Sequence, residues 1–451
     1  MRITQVSPTD IDGGVERTAF DLHTQFIERG IDAQLLLGRR VGQTQMNGVA
    51  ELPRSGAELA RIKLIRSLIG TPKTAHRAKL IEGIATPARA LRWGNKSDDF
   101  KFDTLRALKR SDALSSDMLQ YHSLSGRYLN ADEVVAWSKE TPTVVTVHDD
   151  WVMTGKCTSR MGCKQYLDGC SECDRWSHHQ KSIQTNFAYK QGLWQEARFH
   201  IVTPSQWTLD QLKGTMFEPA IQSAQVIHNG VDIEVFKPGD KTLLRDKMDI
   251  PGDALVLLCG AVSAKNPIKN VSSIAKTIRN LKSLIEGRSI NEKSVLDRLH
   301  VMILGGEPDE FEVGEIPVHT IPFIDDPAEL ARFIQTADLY VHASRADTFP
   351  RALVEAQACG LPVIATDVGG VKESFVDGET GILVPAGDKE TMASALEELL
   401  IDEMKLRKMS EAARKHVEEH LTLEGMTDKY LSYYQHILES EKADTSVEST
   451  I

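Results

Sequence analysis

The chain has 451 residues, 41% of them hydrophobic and 26% charged, and a net charge of −11. That length exceeds one ordinary core and suits two α/β domains, and the composition is that of a folded protein. The acidic balance argues against a dedicated nucleic-acid binder, and no apolar run is long enough to span a membrane.

Met1–Val6 reads as a first strand without the long apolar stretch of a secretory signal, so a cytoplasmic protein with reduced cysteines is expected. The apolar start ends at Pro8, a loop rich in Asp and Gly runs from Thr9 to Gly14, and Val15–Arg29 has helical periodicity. Ala33–Leu37 predicts a second strand. Between Glu51 and Arg110, fourteen Lys/Arg stand against six Asp/Glu, an excess of +8 that leaves −19 on the rest. Within this block Leu59, Ile62, Ile65, Leu68 and Ile69 recur at near-helical spacing, with Arg61, Lys63 and Arg66 between them. Such a segment predicts peripheral attachment to an anionic membrane surface at the inner face; a stripe packed on the domain with its cations in water is the alternative.

Further strands are expected at Met118–Tyr121, Thr143–Val147, His200–Thr203 and Gln225–Ile227, with helices between them. His148 opens the loop after Thr143–Val147. Four cysteines follow it: Cys157, Cys163, Cys170 and Cys173. In a reducing compartment this spacing fits a structural four-thiolate zinc site that stiffens an insertion at 157–173, and it also fits free thiols or a redox-sensitive disulfide. Cys259 and Cys359 fall in apolar segments and read as core residues.

A polar stretch rich in Pro and Gly, 231–251, reads as a linker. A second alternating series follows, with strands at Leu255–Cys259, His300–Leu304, Val318–Pro322, Leu339–His342 and Pro362–Ala365. Its helices are expected at Val271–Ile285, Ala328–Ala337, Arg351–Cys359 and Lys389–Leu400. The expected organisation is an N-terminal domain at 1–230, a C-terminal domain at 252–415, a helical segment at 416–438 and a frayed tail at 439–451. The fold class is α/β: two Rossmann-like domains facing a central cleft, where open parallel sheets bind ligands.

The chemistry concentrates between Ser344 and Pro362. Asp347 sits on a loop, a helix starts beside Pro350, and Glu355 lies eight residues after Asp347. The helix start offers free N–H groups and a positive dipole end to a diphosphate. Glu355 is placed to accept hydrogen bonds from a ribose diol, and Asp347 from hydroxyls of a sugar.

This two-acid segment resembles the signature of the large retaining glycosyltransferase family 4, which has the GT-B fold. Other blocks agree in order. Gly13-Gly14-Val15-Glu16-Arg17 resembles the family's glycine loop, and His148-Asp149-Asp150-Trp151 the histidine loop of an exopolysaccharide-building subgroup. Pro204-Ser205-Gln206-Trp207, His228-Asn229-Gly230-Val231-Asp232, Val368-Gly369-Gly370 and Gly378–Pro385 match later landmarks, so the resemblance spans roughly residues 1–420.

It implies transfer of a sugar from a nucleotide-sugar donor to a glycan or lipid-linked saccharide, in exopolysaccharide or cell-surface polysaccharide synthesis. Asp347, His148 and Lys269 would carry catalysis, and Gly13, Gly14, Lys269, Asp347, Thr348, Phe349 and Glu355 would bind the donor. No catalytic metal is expected, and Asp149-Asp150 is not read as a metal signature. The chain departs from the pattern in four places. Gly260-Ala261-Val262-Ser263 stands where the family has an Arg shortly before the lysine, and Asn270 follows Lys269 where the family has Gly, which leaves Lys265 as a second candidate; Asp347 is shorter than the usual Glu; and Pro350 replaces a common Gly. The other classes weighed are a sugar-nucleotide epimerase or phosphorylase on the same fold and a non-catalytic zinc-stabilised interaction protein. A dinucleotide dehydrogenase is disfavoured because no Gly-x-Gly-x-x-Gly follows the first strand.

Overall fold

The computed structural model describes residues 1–10, 13–40, 47–52, 64, 108–109, 115–126, 128–260, 262–309 and 311–448. The apolar stripe at Leu59, Ile62, Ile65, Leu68 and Ile69 and the cations Arg61, Lys63 and Arg66 lie outside them. Two compact units result: residues 1–227 with 427–451, and residues 228–426.

The first unit holds a seven-stranded sheet of β1 (Arg2–Ser7), β2 (Asp32–Leu37), β3 (Val49–Glu51), β4 (Met118–His122), β5 (Thr143–Thr146), β6 (Phe199–Thr203) and β7 (Ile221–Val226). Its order is β3-β2-β1-β4-β5-β6-β7, and each neighbouring pair is parallel. Helices α1 (Gly14–Glu28), α2 (Ala131–Ser138), α3 (Gln180–Trp194) and α4 (Gln206–Leu212) connect the strands. All residues of β4 and β6 are buried, as befits strands covered on both faces. In α1, Thr18, Ala19, Leu22, His23 and Phe26 are buried at helical spacing, which seats that helix on the sheet. Trp194 anchors the core, with edge-on contacts to Trp151, Phe199 and Phe217 at centroid distances of 6.4, 6.1 and 5.3 Å. Each such pair contributes roughly 0.5–1.5 kcal/mol beyond area burial.

The second unit holds a six-stranded parallel sheet of β8 (Leu255–Gly260), β11 (Leu299–Leu304), β12 (Val318–Ile321), β13 (Leu339–His342), β14 (Val363–Thr366) and β15 (Gly381–Val384), in the order β12-β11-β8-β13-β14-β15. A small hairpin, β9 (Ser289–Ile290) with β10 (Lys293–Ser294), stands apart from it. Its helices are α5 (Thr242–Lys247), α6 (Val271–Ile285), α7 (Pro327–Gln335), α8 (Arg351–Ala358), α9 (Lys389–Ile401) and α10 (Glu403–His420). Start signals are local. Asp326 caps α7 by accepting from the Glu329 N–H at 2.7 Å, with Pro327 in the first turn.

Three boundaries differ from expectation. The 231–251 stretch is part of the second unit rather than a free linker. Val231, Phe236 and Ile250 are buried in its core, and the buried Arg245 donates to the Thr336 and Ala254 carbonyls and to Asp338. The last helix, α11 (Leu423–Glu448), continues past the expected tail boundary at 439. Residues from Thr427 onward rejoin the first unit, where Tyr430 and Tyr434 are buried.

Candidate functional site

Counted within its own sheet, the strand order is 3-2-1-4-5-6 in the second unit and the same with a seventh strand added in the first, so each has a switch point beside its first strand, where open α/β sheets bind ligands. In the second unit that point lies between β8 and β13. Lys269 comes from the segment after β8, and His342 and Asp347 from the end of β13 and its loop.

The three side chains meet. Lys269 Nζ donates to Asp347 Oδ2 at 2.5 Å, His342 Nε2 lies 3.5 Å from the same oxygen, and Ser344 Oγ bonds His342 Nε2 at 2.9 Å. Burial pushes the Asp347 carboxyl up, but the Lys269 ammonium and His342 outweigh it and hold the group well below the usual carboxylate range. Burial holds His342 neutral against the pull of Asp347. The other candidate lysine, Lys265, pairs instead with Asp309 at 3.2 Å on the surface. Asn270 occupies the left-handed region with φ 54° and donates to the Ala343 carbonyl at 3.1 Å. Asn tolerates that conformation better than other residues with a side chain, which accounts for its standing where the family has Gly.

On α8, Arg351 Nε donates to Glu355 Oε1 at 2.8 Å, and both side chains are buried. Phe349 does not offer its ring to a ligand: it is 3% exposed and stacks on His228 at 4.9 Å, which leaves its backbone and that of Thr348 as the groups to contribute. Gly370 N–H donates to the Asp347 carbonyl at 3.0 Å. A Cβ on Gly369 would lie 1.9 Å from that carbonyl oxygen, and its φ of +59° also calls for glycine. A cavity of about 770 Å³ opens beside the cluster, lined by Asn270, Ser344, Arg345, Thr366, Asp388 and Lys389 among others. It falls in the size range of small-molecule sites.

In the first unit the switch point lies between β1 and β4. Gly13 precedes α1 in an extended conformation, φ 173°, and a Cβ on Gly14 would meet nothing within 4 Å. Neither backbone conformation demands glycine here, although a Cβ on Gly13 would come 3.1 Å from Glu16 Oε2. His148 follows β5, is 7% exposed, and burial draws its imidazole down to about 4. Asp149 accepts from Ser125 Oγ at 2.6 Å, Ser123 Oγ at 3.1 Å and the Trp151 N–H at 2.9 Å. Asp150 accepts from the Arg160 N–H at 2.9 Å and pairs with its guanidinium at 3.7 Å. Both carboxylates are occupied in shaping the loop.

The four cysteines lie near enough to act on one another: Cys173 and Cys163 raise the Cys157 thiol, and Cys157 and Cys163 raise that of Cys170, each after burial. Cys157 and Cys173 are half-buried, Cys163 is exposed and Cys170 is buried. Among the described residues no three His, Cys, Asp or Glu are grouped to hold a metal. Cys170 accepts the Gly155 N–H at 3.3 Å, and the loop is tied down by Arg160, which stacks over Tyr166 and Trp207. His342 and Arg351 were missed from sequence. Arg351 had a signal in its i,i+4 spacing to Glu355; His342 had none, because its contact with Asp347 depends on how the loop after β13 turns.

Residues 12–235 match the family described as Glycosyltransferase Family 4, and residues 264–416 the family described as Glycosyl transferases group 1. Over 240 residues the chain is 31% identical to D-inositol 3-phosphate glycosyltransferase 1 of Catenulispora acidiphila, covering 50% of this chain and 54% of that one. Over 223 residues it is 25% identical to N-acetyl-alpha-D-glucosaminyl L-malate synthase of Bacillus anthracis, covering 48% and 55%. The chain thus spans about half the length of the curated relatives it matches. Among solved structures it resembles sucrose-phosphate synthase from Thermosynechococcus elongatus, with a TM-score of 0.65 at 14% identity over 98% of this chain and 100% of that one. It also resembles HepE of Anabaena in complex with UDP-glucose, with a TM-score of 0.58 at 16% identity over 98% and 100%.

Proposed function

The chain belongs to the family-4 glycosyltransferases of GT-B fold, and we propose that it is a retaining enzyme that moves a sugar from a nucleotide-sugar donor to a glycan or lipid-linked saccharide. The observation that carries this reading is the Lys269–Asp347–His342 cluster at the switch point of the second sheet, with the Arg351–Glu355 pair on α8, the helix that follows the Asp347 loop.

The donor's diphosphate lies against Lys269, whose ammonium has three N–H groups and can serve Asp347 and a phosphate oxygen together. Glu355 takes the ribose hydroxyls and Asp347 those of the transferred sugar. The bond from the anomeric carbon to the diphosphate oxygen breaks, and a bond to the acceptor oxygen forms on the same face. The acceptor's hydroxyl proton passes to the departing diphosphate. Lys269 offsets the charge that develops there, and no protein nucleophile takes part, so catalysis comes from positioning and electrostatic stabilisation. His148 contacts the transferred sugar or the acceptor.

We further propose a role in exopolysaccharide or cell-surface polysaccharide synthesis, with the basic block 51–110 holding the enzyme at an anionic leaflet near a lipid-linked acceptor. Among the described residues no helix is long and apolar enough to cross a membrane. A screen with UDP-, GDP- and ADP-sugars, read as acceptor-dependent nucleotide release, tests the activity, and NMR of the product anomer tests retention. UDP-glucose is the first donor to try. Release that survives EDTA is expected; no release with any donor overturns the enzyme reading.

A further inference from the structure

The face of the first sheet that carries β1, β4 and β5 is not lined by apolar residues alone. Gln5, Gln120, His122 and Thr146 are all nearly inaccessible there and form a continuous hydrogen-bonded ladder. Gln5 Nε2 lies 3.0 Å from His122 Nε2 and 3.4 Å from Gln120 Oε1. Gln120 Nε2 donates to Thr146 Oγ1 at 3.2 Å. The far end is closed by α11, where Tyr434 OH donates to Gln120 Oε1 and Tyr430 OH lies 3.3 Å from Thr146 Oγ1. The near end reaches the candidate site: the His122 ring stacks on that of His148, with centroids 6.0 Å apart and planes 21° from parallel.

With the Gln5 amide nitrogen facing both Gln120 Oε1 and His122 Nε2, Nε2 accepts and the His122 proton sits on Nδ1, where it has no hydrogen-bond partner, as is also true of Gln5 Oε1. Burial, reinforced by His148, keeps this ring neutral. Polar ladders of this kind do not dock a helix better than apolar side chains would; what they add is a single defined arrangement of the groups they connect.

We propose that this ladder is a positioning device for His148. Docking of α11 through Tyr434 and Tyr430 fixes Gln120 and Thr146, Gln120 fixes Gln5, and Gln5 fixes the His122 ring against which His148 rests. Gln5 and His122 are positioning residues, not catalytic ones. The inference rests on the reading of His148 as the contact to sugar or acceptor.

The test uses the full chain and two readouts. Long-range ¹H–¹⁵N NMR of the histidine side chains reports tautomer and environment without any turnover. Steady-state kinetics with the active donor reports kcat and donor KM. Gln5→Leu is expected to move the His122 and His148 signals together and to lower kcat by about 10- to 100-fold, the range for slight misplacement of a reacting group, with donor KM unchanged. His122→Phe, which keeps a flat ring beside His148, is expected to retain more kcat than His122→Ala. Tyr434→Phe removes one hydroxyl and carries the same test, with smaller shifts, should Gln5→Leu fail to fold. Unmoved His148 signals and unchanged kcat in the folded variants overturn the proposal, as does a rise in donor KM that accounts for the whole effect. Wild-type protein that turns over no nucleotide sugar overturns the enzyme reading instead, and the NMR readout still decides whether the ladder reaches His148.

Discussion

Asp347 is held by the Lys269 ammonium, by His342 and, through its carbonyl, by the Gly370 N–H. Gly369→Ala forces a Cβ onto the Asp347 carbonyl oxygen at a backbone conformation that L residues rarely adopt. It should cost about 1–3 kcal/mol of stability, read by denaturant unfolding, and lower turnover through displacement of the Asp347 loop. Glu355→Ala should weaken nucleotide binding by roughly 1.5–3 kcal/mol, the range for hydrogen bonds to a charged group, measured by calorimetry with UDP. Asp347→Ala should act chiefly on kcat. Unaltered binding and turnover in folded Glu355 and Asp347 variants would remove the site assignment. Asp347 and Glu355 could be singled out from sequence by their spacing around a helix start, whereas Lys269 was singled out through the family resemblance. Phe349 could not be placed in the same way, since only the fold decides that its ring stacks under His228 rather than facing a ligand.

At the scale of elements, the segment after His148 is held by Arg160 acting beside Lys190, Trp194 and Gln180, which bond the segment's backbone. Arg160 pairs with Asp150, bonds Gln211 and lies over the rings of Tyr166 and Trp207, at 4.6 and 5.5 Å. Arg160→Ala strands the buried Asp150 carboxylate, which burial already raises. A loss of ~3 kcal/mol is expected, the lower end for breaking a buried pair. Faster proteolysis within 155–180 would show it, and cleavage no faster than in wild type would mean the loop is held elsewhere. The cysteines had been the sequence's signal for how this loop is stiffened. Their spacing is compatible with zinc, and the structure adds a tie that spacing does not show, since Arg160 also reaches Trp207 and Gln211 on α4. Short elements were illegible for a related reason. The three-residue β3 and Gly381–Val384 become strands by pairing with β2 and β14, not by periodicity of their own.

For the whole molecule the acid side of the stability curve follows from buried imidazoles. His148 is drawn down to about 4, and burial also lowers His23, His122, His200, His300, His319, His342 and His416. Below about pH 6.5 an unfolded chain takes up protons that these folded sites refuse, so stability falls as pH drops from there toward 4. Asp347 acts in its own window: its depressed value stabilises the fold above the usual carboxylate range and is lost only below about pH 4. Thermal unfolding should show a lower Tm at about pH 5 than at pH 7.5. A Tm that is flat across that interval would show that these imidazoles are not buried neutral. Alternation of strand and helix, two domains' worth of chain and ordered loop motifs were enough for the sequence to determine two Rossmann-like domains and the family. Those signals are local, written in periodicity and in helix starts. Only the tertiary structure decided that 231–251 and 427–448 belong to the units they pack in, and that Gln5 reaches His122. Each of those depends on which distant surfaces bury one another, and spacing along the chain carries no record of that.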